Sequence, residues 1–369
     1  MAPRELLIGL MSGTSLDGVD AVLADFGGPR PRVLGHAHHD FAPELRKELL
    51  LLATAGWDDL HRAAVASQHL ARAYAGAVED VLLHAEVEAR EVRAIGAHGQ
   101  TVRHRPESGY TIQLNAPATL AELSGIDVVA DFRSRDIAAG GQGAPLVPAF
   151  HSAVFGGDAP RAIVNLGGIS NLTGLPARGD GKLIGFDCGP GNVLIDAWAL
   201  EHLAEPLDRN GRWAASGHSD VDLLESMLAE PYFAAPPPKS TGRELFSADW
   251  LKAKLLATAR KIDPRDVATT ITRLSAVVIG RAIGAHFPQA GDVVVCGGGT
   301  RNATLMSMLA EACAPRPVTN CTSLGLAPEQ VEALAFAWLA QRHLERRAGN
   351  VPAVTGADGE RILGALYPA

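Results

Sequence analysis

The sequence predicts a mixed α/β protein built as two lobes, and three observations carry that reading. The chain has 369 residues, about twice the length of a typical domain. Apolar, strand-like runs alternate with longer segments at helical spacing. A strand, a Gly/Ser turn and a returning strand occur at 5–26 and again at 161–175, as expected of a duplicated unit. Each copy opens with a hairpin, so a simple doubly wound parallel sheet is not expected.

The elements follow in order. Strands are expected at 5–11, 19–26 and 33–41, the first two joined by a tight polar loop at 12–18. A helix with Pro in its first turn covers 43–55. Leu60, Ala64, Ser67, Leu70, Tyr74, Val78 and Val81 then recur at helical spacing over 59–85. Strands at 92–97 and 110–114 precede a short helix at 117–124 and a strand at 127–132. The stretch 136–148, rich in Gly, Ala and Pro, reads as a crossover between lobes. Beyond it come strands at 161–166, 171–175 and 182–186, the last stopped by Gly-Pro-Gly after Asp187. A helix at 193–203, a loop at 204–219 and a Pro-rich surface excursion at 231–243 are expected next. Two long helices (247–260, 264–287), a buried strand (292–296) and a helix (302–313) follow. The last long helix, 328–346, is apolar all round over 333–340 and is expected to be buried. Lobe one is expected over 1–137, with 328–369 packing back on it, and lobe two over 138–327.

Composition limits the function classes. Lys and Arg total 33 against 41 Asp and Glu, a net charge of −8. Nucleic-acid binding wants a basic face, so no nucleic-acid partner is expected. No eighteen-residue apolar run is read in the sequence, and no membrane span is expected. The N-terminus reads as a first strand and not as a signal peptide. Cys188, Cys296, Cys313 and Cys321 form no CxxC pair, which fits free thiols in a reducing cytoplasm.

Four Gly-rich turns, near Gly13, Gly167, Gly189 and Gly297, each follow an apolar strand. Glycine lets backbone N–H groups approach a phosphate closely, and successive N–H groups make an anion nest. GxxxxGK[ST] and GxGxxG are both absent, so any nucleotide is held by another architecture. Asp187 fits either a general base at a strand end or a cap for the following helix. Asp17 and Asp20 flank the first turn and suit either Mg²⁺ held through water or Asx-turn chemistry. Residues 98–104, His-Gly-Gln-Thr-Val-Arg-His, offer donors and acceptors that suit sugar hydroxyls better than a metal. His36, His38 and His39 read as a solvated strand face without partners. Arg133 and Arg135 suit a substrate carboxylate, or internal pairing with Asp131 and Asp136. Glu332 opens the last apolar helix, where the helix dipole favours a carboxylate.

Seven segments together resemble the anhydro-N-acetylmuramic acid kinases. They are IGLMSGTSLDGVDAVLADF (8–26), AHGQTVRH (97–104), DFRSRDIAAGGQGAPLVP (131–148), VNLGGISNLT (164–173), GFDCGPGN (185–192), VVVCGGGTRN (293–302) and VEALAFAWLA (331–340). They span nearly the whole chain in consistent order. Cys188 stands where the family often has Thr. The resemblance implies two RNase-H-like lobes of the actin/hexokinase/Hsp70-like fold with an interlobe ATP cleft. It implies that Gly13, Thr14, Ser15, Leu16, Asp17, Gly18, Val19 and Asp20 form the ATP phosphate loop; for Asp17 and Asp20 the residues leave open Mg²⁺ held through water or Asx-turn chemistry. Gly167, Gly168, Ser170 and Asn171 would be the counterpart in lobe two, and Gly297, Gly298, Gly299 and Asn302 would lie by the adenosine. Asp187 would be the catalytic base, with Glu332 near the reacting centre. Gln100, Thr101, His104, Arg133, Arg135, Gly189 and Asn192 are expected around the sugar. The implied reaction consumes ATP and water and converts 1,6-anhydro-N-acetylmuramic acid to N-acetylmuramic acid 6-phosphate. The implied setting is cell-wall recycling by a cytoplasmic homodimer. An ordinary sugar kinase, a non-catalytic ATP-switched module and a glycoside hydrolase using Asp187 and Glu332 are the competing readings.

Overall fold

The computed structural model describes residues 4–13, 16–242 and 245–369. The chain divides into two compact units, Met1–Val154 with Glu329–Ala369, and Phe155–Pro328. The boundary expected at 137 lies inside the first unit.

In the first unit β1 (Leu6–Met11), β2 (Gly18–Asp25) and β3 (Arg32–Asp40) form an antiparallel meander. β4 (Val92–Ala97) pairs parallel with β1. β5 (Gln100–Arg105) and β6 (Tyr110–Leu114) make a separate hairpin, and β7 (Val128–Ala130) pairs parallel with β4. A closing strand, Ala365–Tyr367, gives the sheet order closing strand, β7, β4, β1, β2, β3. Alternation along β1 sends Leu6, Ile8 and Leu10 into a core with Leu70, Tyr74 and Val78 of the helix Asp59–Ala85. Gly9 faces the other way, under the helix Val331–Leu344. A Cβ on Gly9 would lie 1.8 Å from the Ala333 carbonyl oxygen, and one on Gly96 2.0 Å from that of Phe336. The apolar helix 331–344 is buried as expected because these two bare strand positions let its backbone rest on the sheet.

The second unit repeats the plan. β8 (Arg161–Leu166), β9 (Ile169–Leu175) and β10 (Ile184–Pro190) are antiparallel, and β11 (Asp292–Cys296) and β12 (Val318–Asn320) add in parallel. The order β10-β9-β8-β11-β12 matches β3-β2-β1-β4-β7 step for step. The repetition is one of topology more than of letters. Its core helix, Pro264–His286, is long and apolar enough to cross a membrane by length and composition, but 72% of that window is buried inside the protein. Its Thr and Ser hydroxyls are spent on carbonyl oxygens, Thr272 on Ala268 at 2.8 Å and Ser275 on Gly191 at 2.8 Å.

Three expectations are corrected here. The ladder does not stop at Asp187: β10 continues to Pro190, with Asp187 opposite Asn171 and Gly189 opposite Ser170. Cys188 is therefore the extra residue of a β-bulge, and Gly189 tolerates it by adopting φ +146. The stretch 136–148 is not a free crossover. It holds the helix Ser134–Ala138 and the start of Val147–Phe155, and it is fastened within the first unit. Buried Asp136 accepts hydrogen bonds from Gly143 N, Asn350 Nδ2 and Thr355 Oγ1 at 2.7–2.8 Å. Finally, β5, β12, the closing strand and the helix Val221–Leu228 appear where none was expected, because each is short and supported mainly by its neighbours.

Candidate active site

Several of the candidate residues lie just beyond the carboxyl ends of the central strands in each unit, after β1, β4, β8 and β11. In the first unit, the β1–β2 turn is framed from behind. Ser12 Oγ shares a 2.7 Å hydrogen bond with Tyr74 OH and donates to the Gly99 carbonyl at 3.2 Å. Gln100 Nε2 donates to the Gly13 carbonyl at 3.2 Å. Leu16 takes φ +56 and its amide reaches back to Gly13 at 3.4 Å. Thr14 and Ser15, expected at the phosphate loop, lie outside the described residues. Asp17 is exposed at the turn.

Asp20 is not free to act alone. Its Oδ1 meets His36 Nε2 at 3.1 Å and His38 Nδ1 at 3.0 Å, while His39 meets Asp80 at 3.1 Å. The reading of these histidines as unpartnered is therefore corrected: β2–β3 register sets His38 opposite Asp20. Burial works to raise the Asp20 carboxyl, but the two imidazole hydrogen bonds outweigh it and hold it below the usual range. The same contact raises His38 against its burial.

Beside the turn, Arg133 donates to His98 Nε2 through Nε (3.2 Å) and Nη2 (2.9 Å), and to the Gly143 carbonyl at 2.9 Å. Asp131 and Asp136 take their hydrogen bonds from Ser134 and from Gly143, Asn350 and Thr355. Burial first, then the Arg133 charge, drives His98 well below the ordinary imidazole value. The same two causes lower His104 to about 4. Both rings are neutral at pH 7. Three buried atoms here have no protein partner: His98 Nδ1, Gln100 Oε1 and His104 Nε2. Thr101 accepts from Gln113 at 3.1 Å, and Arg135 is exposed on its short helix. Glu332 sits half-buried in the first turn of the helix Val331–Leu344.

In the second unit, three glycine turns lie against one another. The amides of Gly191, Asn192 and Val193 donate to the carbonyls of Gly168 and Gly167 at 2.9–3.0 Å. Asn192 Nδ2 ties the same turn, reaching Gly167 O at 3.0 Å. A Cβ on Gly191 would strike Gly167 O at 2.4 Å, and one on Gly299 would lie 2.6 Å from Leu166 Cβ. Gly298 is exposed, with open space at its Cβ position. Asn302 caps the helix Ala303–Cys313, accepting from Leu305 N at 2.9 Å. Ser170 Oγ donates to the Gly189 carbonyl at 3.1 Å.

Asp187 rides half-buried on the bulge. It is no cap: the helix Val193–Leu203 has Asn192 at that position, and Asp187 Oδ2 instead accepts from Thr241 N at 3.0 Å. Tyr232 OH donates to its carbonyl at 2.7 Å, and its own amide donates to Lys239 O at 3.2 Å. Tyr232, Lys239 and Thr241 hold Asp187 although no motif in the sequence points to them. Asp187 sits more than forty positions upstream of them, and no spacing rule joins them. None of the four cysteines forms a disulfide and all are buried, and burial, then the neighbouring Asp187 charge, pushes the Cys188 thiol up.

Paired three-plus-two sheets and glycine turns at strand ends define the actin/hexokinase/Hsp70-like ATPase fold. The activator of the 2-hydroxyisocaproyl-CoA dehydratase from Clostridium difficile, solved with bound ADPNP, shares it with a TM-score of 0.50 at 11% identity. That match covers 92% of this chain and 96% of the activator. Residues 5–369 match the family model described as Anhydro-N-acetylmuramic acid kinase. The protein of that name from Bordetella pertussis is 56% identical, across 100% of this chain and 97% of its own length. The one from Cupriavidus pinatubonensis is 54% identical, across 100% and 99%. The chain belongs to the anhydro-N-acetylmuramic acid kinase family. It is a phosphotransferase of amino-sugar metabolism with a role in peptidoglycan recycling.

Proposed function

We propose that this chain opens the bridge of 1,6-anhydro-N-acetylmuramic acid with water and phosphorylates O6, with Asp187 as the base. The observation that carries the assignment is a carboxylate on a bulged strand end, fixed through its amide, its carbonyl and one carboxylate oxygen. The substrate explains why a base is needed. O6 is tied to C1 in the bridge, so there is no 6-hydroxyl proton to remove. Asp187 takes a proton from water as the water oxygen bonds to C1. The C1–O6 bond breaks with its electron pair on O6, O6 bonds to the γ-phosphorus, and the bond from that phosphorus to the β,γ-bridging oxygen breaks to release ADP. ATP supplies that electrophilic phosphorus.

The remaining assignments follow from the family resemblance and the local chemistry. Gly13, Leu16, Asp17, Gly18 and Val19 serve the nucleotide phosphates in the first unit, and Gly167, Gly168, Ser170 and Asn171 do so in the second. Gly297, Gly298 and Gly299 serve the adenosine end; Asn302 acts there through the helix it caps. Gln100, Thr101, His104, Arg133, Arg135, Gly189 and Asn192 serve the sugar, with Glu332 near the reacting centre. Gln100 and His104 fit hydroxyl recognition, each keeping a buried atom for a ligand. Asp17 fits Mg²⁺ held through water; Asp20 fits less well, with Oδ1 taken by His36 and His38. Among the described residues no cluster of three or more His, Cys, Asp or Glu is arranged to hold a metal. An ion held mainly by nucleotide phosphate and water suits that donor set. The resemblance supports a cytoplasmic homodimer, which light scattering of the purified protein tests.

The decisive experiment is turnover in ¹⁸O-labelled water. Label is expected at C1 and absent from the phosphate ester, with the α-anomer formed first because attack comes opposite the departing O6. Label in the ester, or ADP release with N-acetylmuramic acid equal to that with the anhydro sugar, overturns the reading.

A further inference from the structure

We infer that Thr241 completes the Asp187 site: its amide orients the carboxylate, and its buried hydroxyl holds the water that Asp187 deprotonates. The inference rests on the reading of Asp187 as the base. Two observations on one residue carry it. The Thr241 N–H donates to Asp187 Oδ2 at 3.0 Å. Its Oγ1, separated from that nitrogen only by Cα and Cβ, is buried and has no hydrogen-bond partner in the protein. Native proteins leave few buried polar groups unmet, and each calls for an explanation. Beside a catalytic carboxylate, a water or ligand hydroxyl is the simplest one.

The segment around Thr241 is built to hold that place. Asp187 N donates to Lys239 O at 3.2 Å and Tyr232 OH donates to Asp187 O at 2.7 Å. Lys239 Nζ donates to the Tyr232 carbonyl at 3.0 Å and lies 4.7 Å from the centre of the Tyr232 ring. One strap thus grips Asp187 through its amide, carbonyl and carboxylate, the rigid mounting that catalytic geometry requires.

The division of labour follows from the valence of water. One O–H points at the Asp187 carboxylate and the other at a lone pair of Thr241 Oγ1, leaving an oxygen lone pair for C1. As the new C1–O bond forms and C1–O6 breaks, the first proton passes to Asp187. Thr241 gains and loses no proton. It is a positioning residue until the water enters, and then touches the nucleophile directly.

Thr241→Val removes the hydroxyl and keeps shape and amide; Thr241→Ser keeps the hydroxyl and the amide and loses only the methyl group. With full-length protein, ATP and the anhydro sugar, kcat of Thr241→Val is expected to fall about tenfold to a hundredfold. Its KM for the sugar and its melting temperature should stay unchanged, and Thr241→Ser should recover kcat to within about threefold. Three results overturn the inference: kcat of Thr241→Val within twofold of the parent, a defect confined to KM, or Thr241→Ser as impaired as Thr241→Val. Asp187→Asn, run beside them, separates the two readings. If it keeps near-normal turnover, Asp187 is not the base and the inference falls with it. If it is inactive while Thr241→Val is not, only Thr241 is refuted.

Discussion

The third strand of each unit occupies the same place in the same topology, yet the carboxylates at the two strands are held in different ways. β3 is half-open to solvent, and its histidines cross to Asp20 on β2 and to Asp80 on the helix behind. These are exposed or part-buried hydrogen bonds between imidazole and carboxylate. β10 is mostly buried, bulges at Cys188, and carries Asp187 itself, whose Oδ2 accepts from the Thr241 amide. The carboxylate itself lies on β2 in the first unit and on the third strand, β10, in the second. Burial and partner differ with it: imidazoles from β3 meet Asp20 in the first unit, and a backbone amide meets Asp187 in the second.

The contrast is broken most sharply by neutralising each carboxylate in turn. Asp187→Asn should fold with a melting temperature near that of the parent and lose at least about a hundredfold in turnover, the usual scale for a positioned base. Asp20→Asn should lose far less. ADP release measured on both variants checks this, and equal losses would show that the two strands do not differ as described.

A second test compares a glycine beneath a helix in the first unit with one in an open turn of the second. Gly96→Ala drives a methyl to 2.0 Å from a backbone oxygen that no rotamer can move. A loss of about 3 kcal/mol is expected, the upper end for overpacked cores, read by denaturant melts. Gly298→Ala in the second unit meets open space and should leave stability within about 0.5 kcal/mol.

A third test sharpens the description of the first unit's histidines. His104, lowered to about 4, is neutral when folded but protonates near 6.5 when unfolded. The unfolded state then binds more protons, so this residue's contribution to stability is present above pH 6.5 and lost as pH falls toward 4. His104→Gln should flatten that part of the melting-temperature profile. His38 works in the opposite sense, being raised by Asp20. Its contribution is present below 6.5 and lost as pH rises through the folded value. The smallest effect expected is that Asp20→Asn lowers the His38 titration midpoint, as followed by NMR.

Much of the fold was legible because its signals are local. The run LLIGLM, the periodic stretch 59–85 and the strand 161–166 each declare themselves by spacing alone. The glycine turns were legible for the same reason. The shorter pieces were not, since a three-residue strand such as 318–320 exists only by pairing with β11. The cap reading of Asp187 failed because Gly-Pro-Gly looks like a stop, and a bulge absorbs it.

By itself the sequence determined the two-lobed α/β plan, the strand-end glycine turns, the family and the choice of Asp187 as the residue to test. These depend on apolar periodicity and on motifs a few residues long. Only the tertiary structure decided the partners: His36 and His38 on Asp20, Arg133 on His98, Asn350 and Thr355 on Asp136, Thr241 on Asp187. In each, residues 16 to 219 positions apart in the chain meet within hydrogen-bonding distance. Register, bulges and loop closure bring them together, and none of these is written in the spacing of the letters.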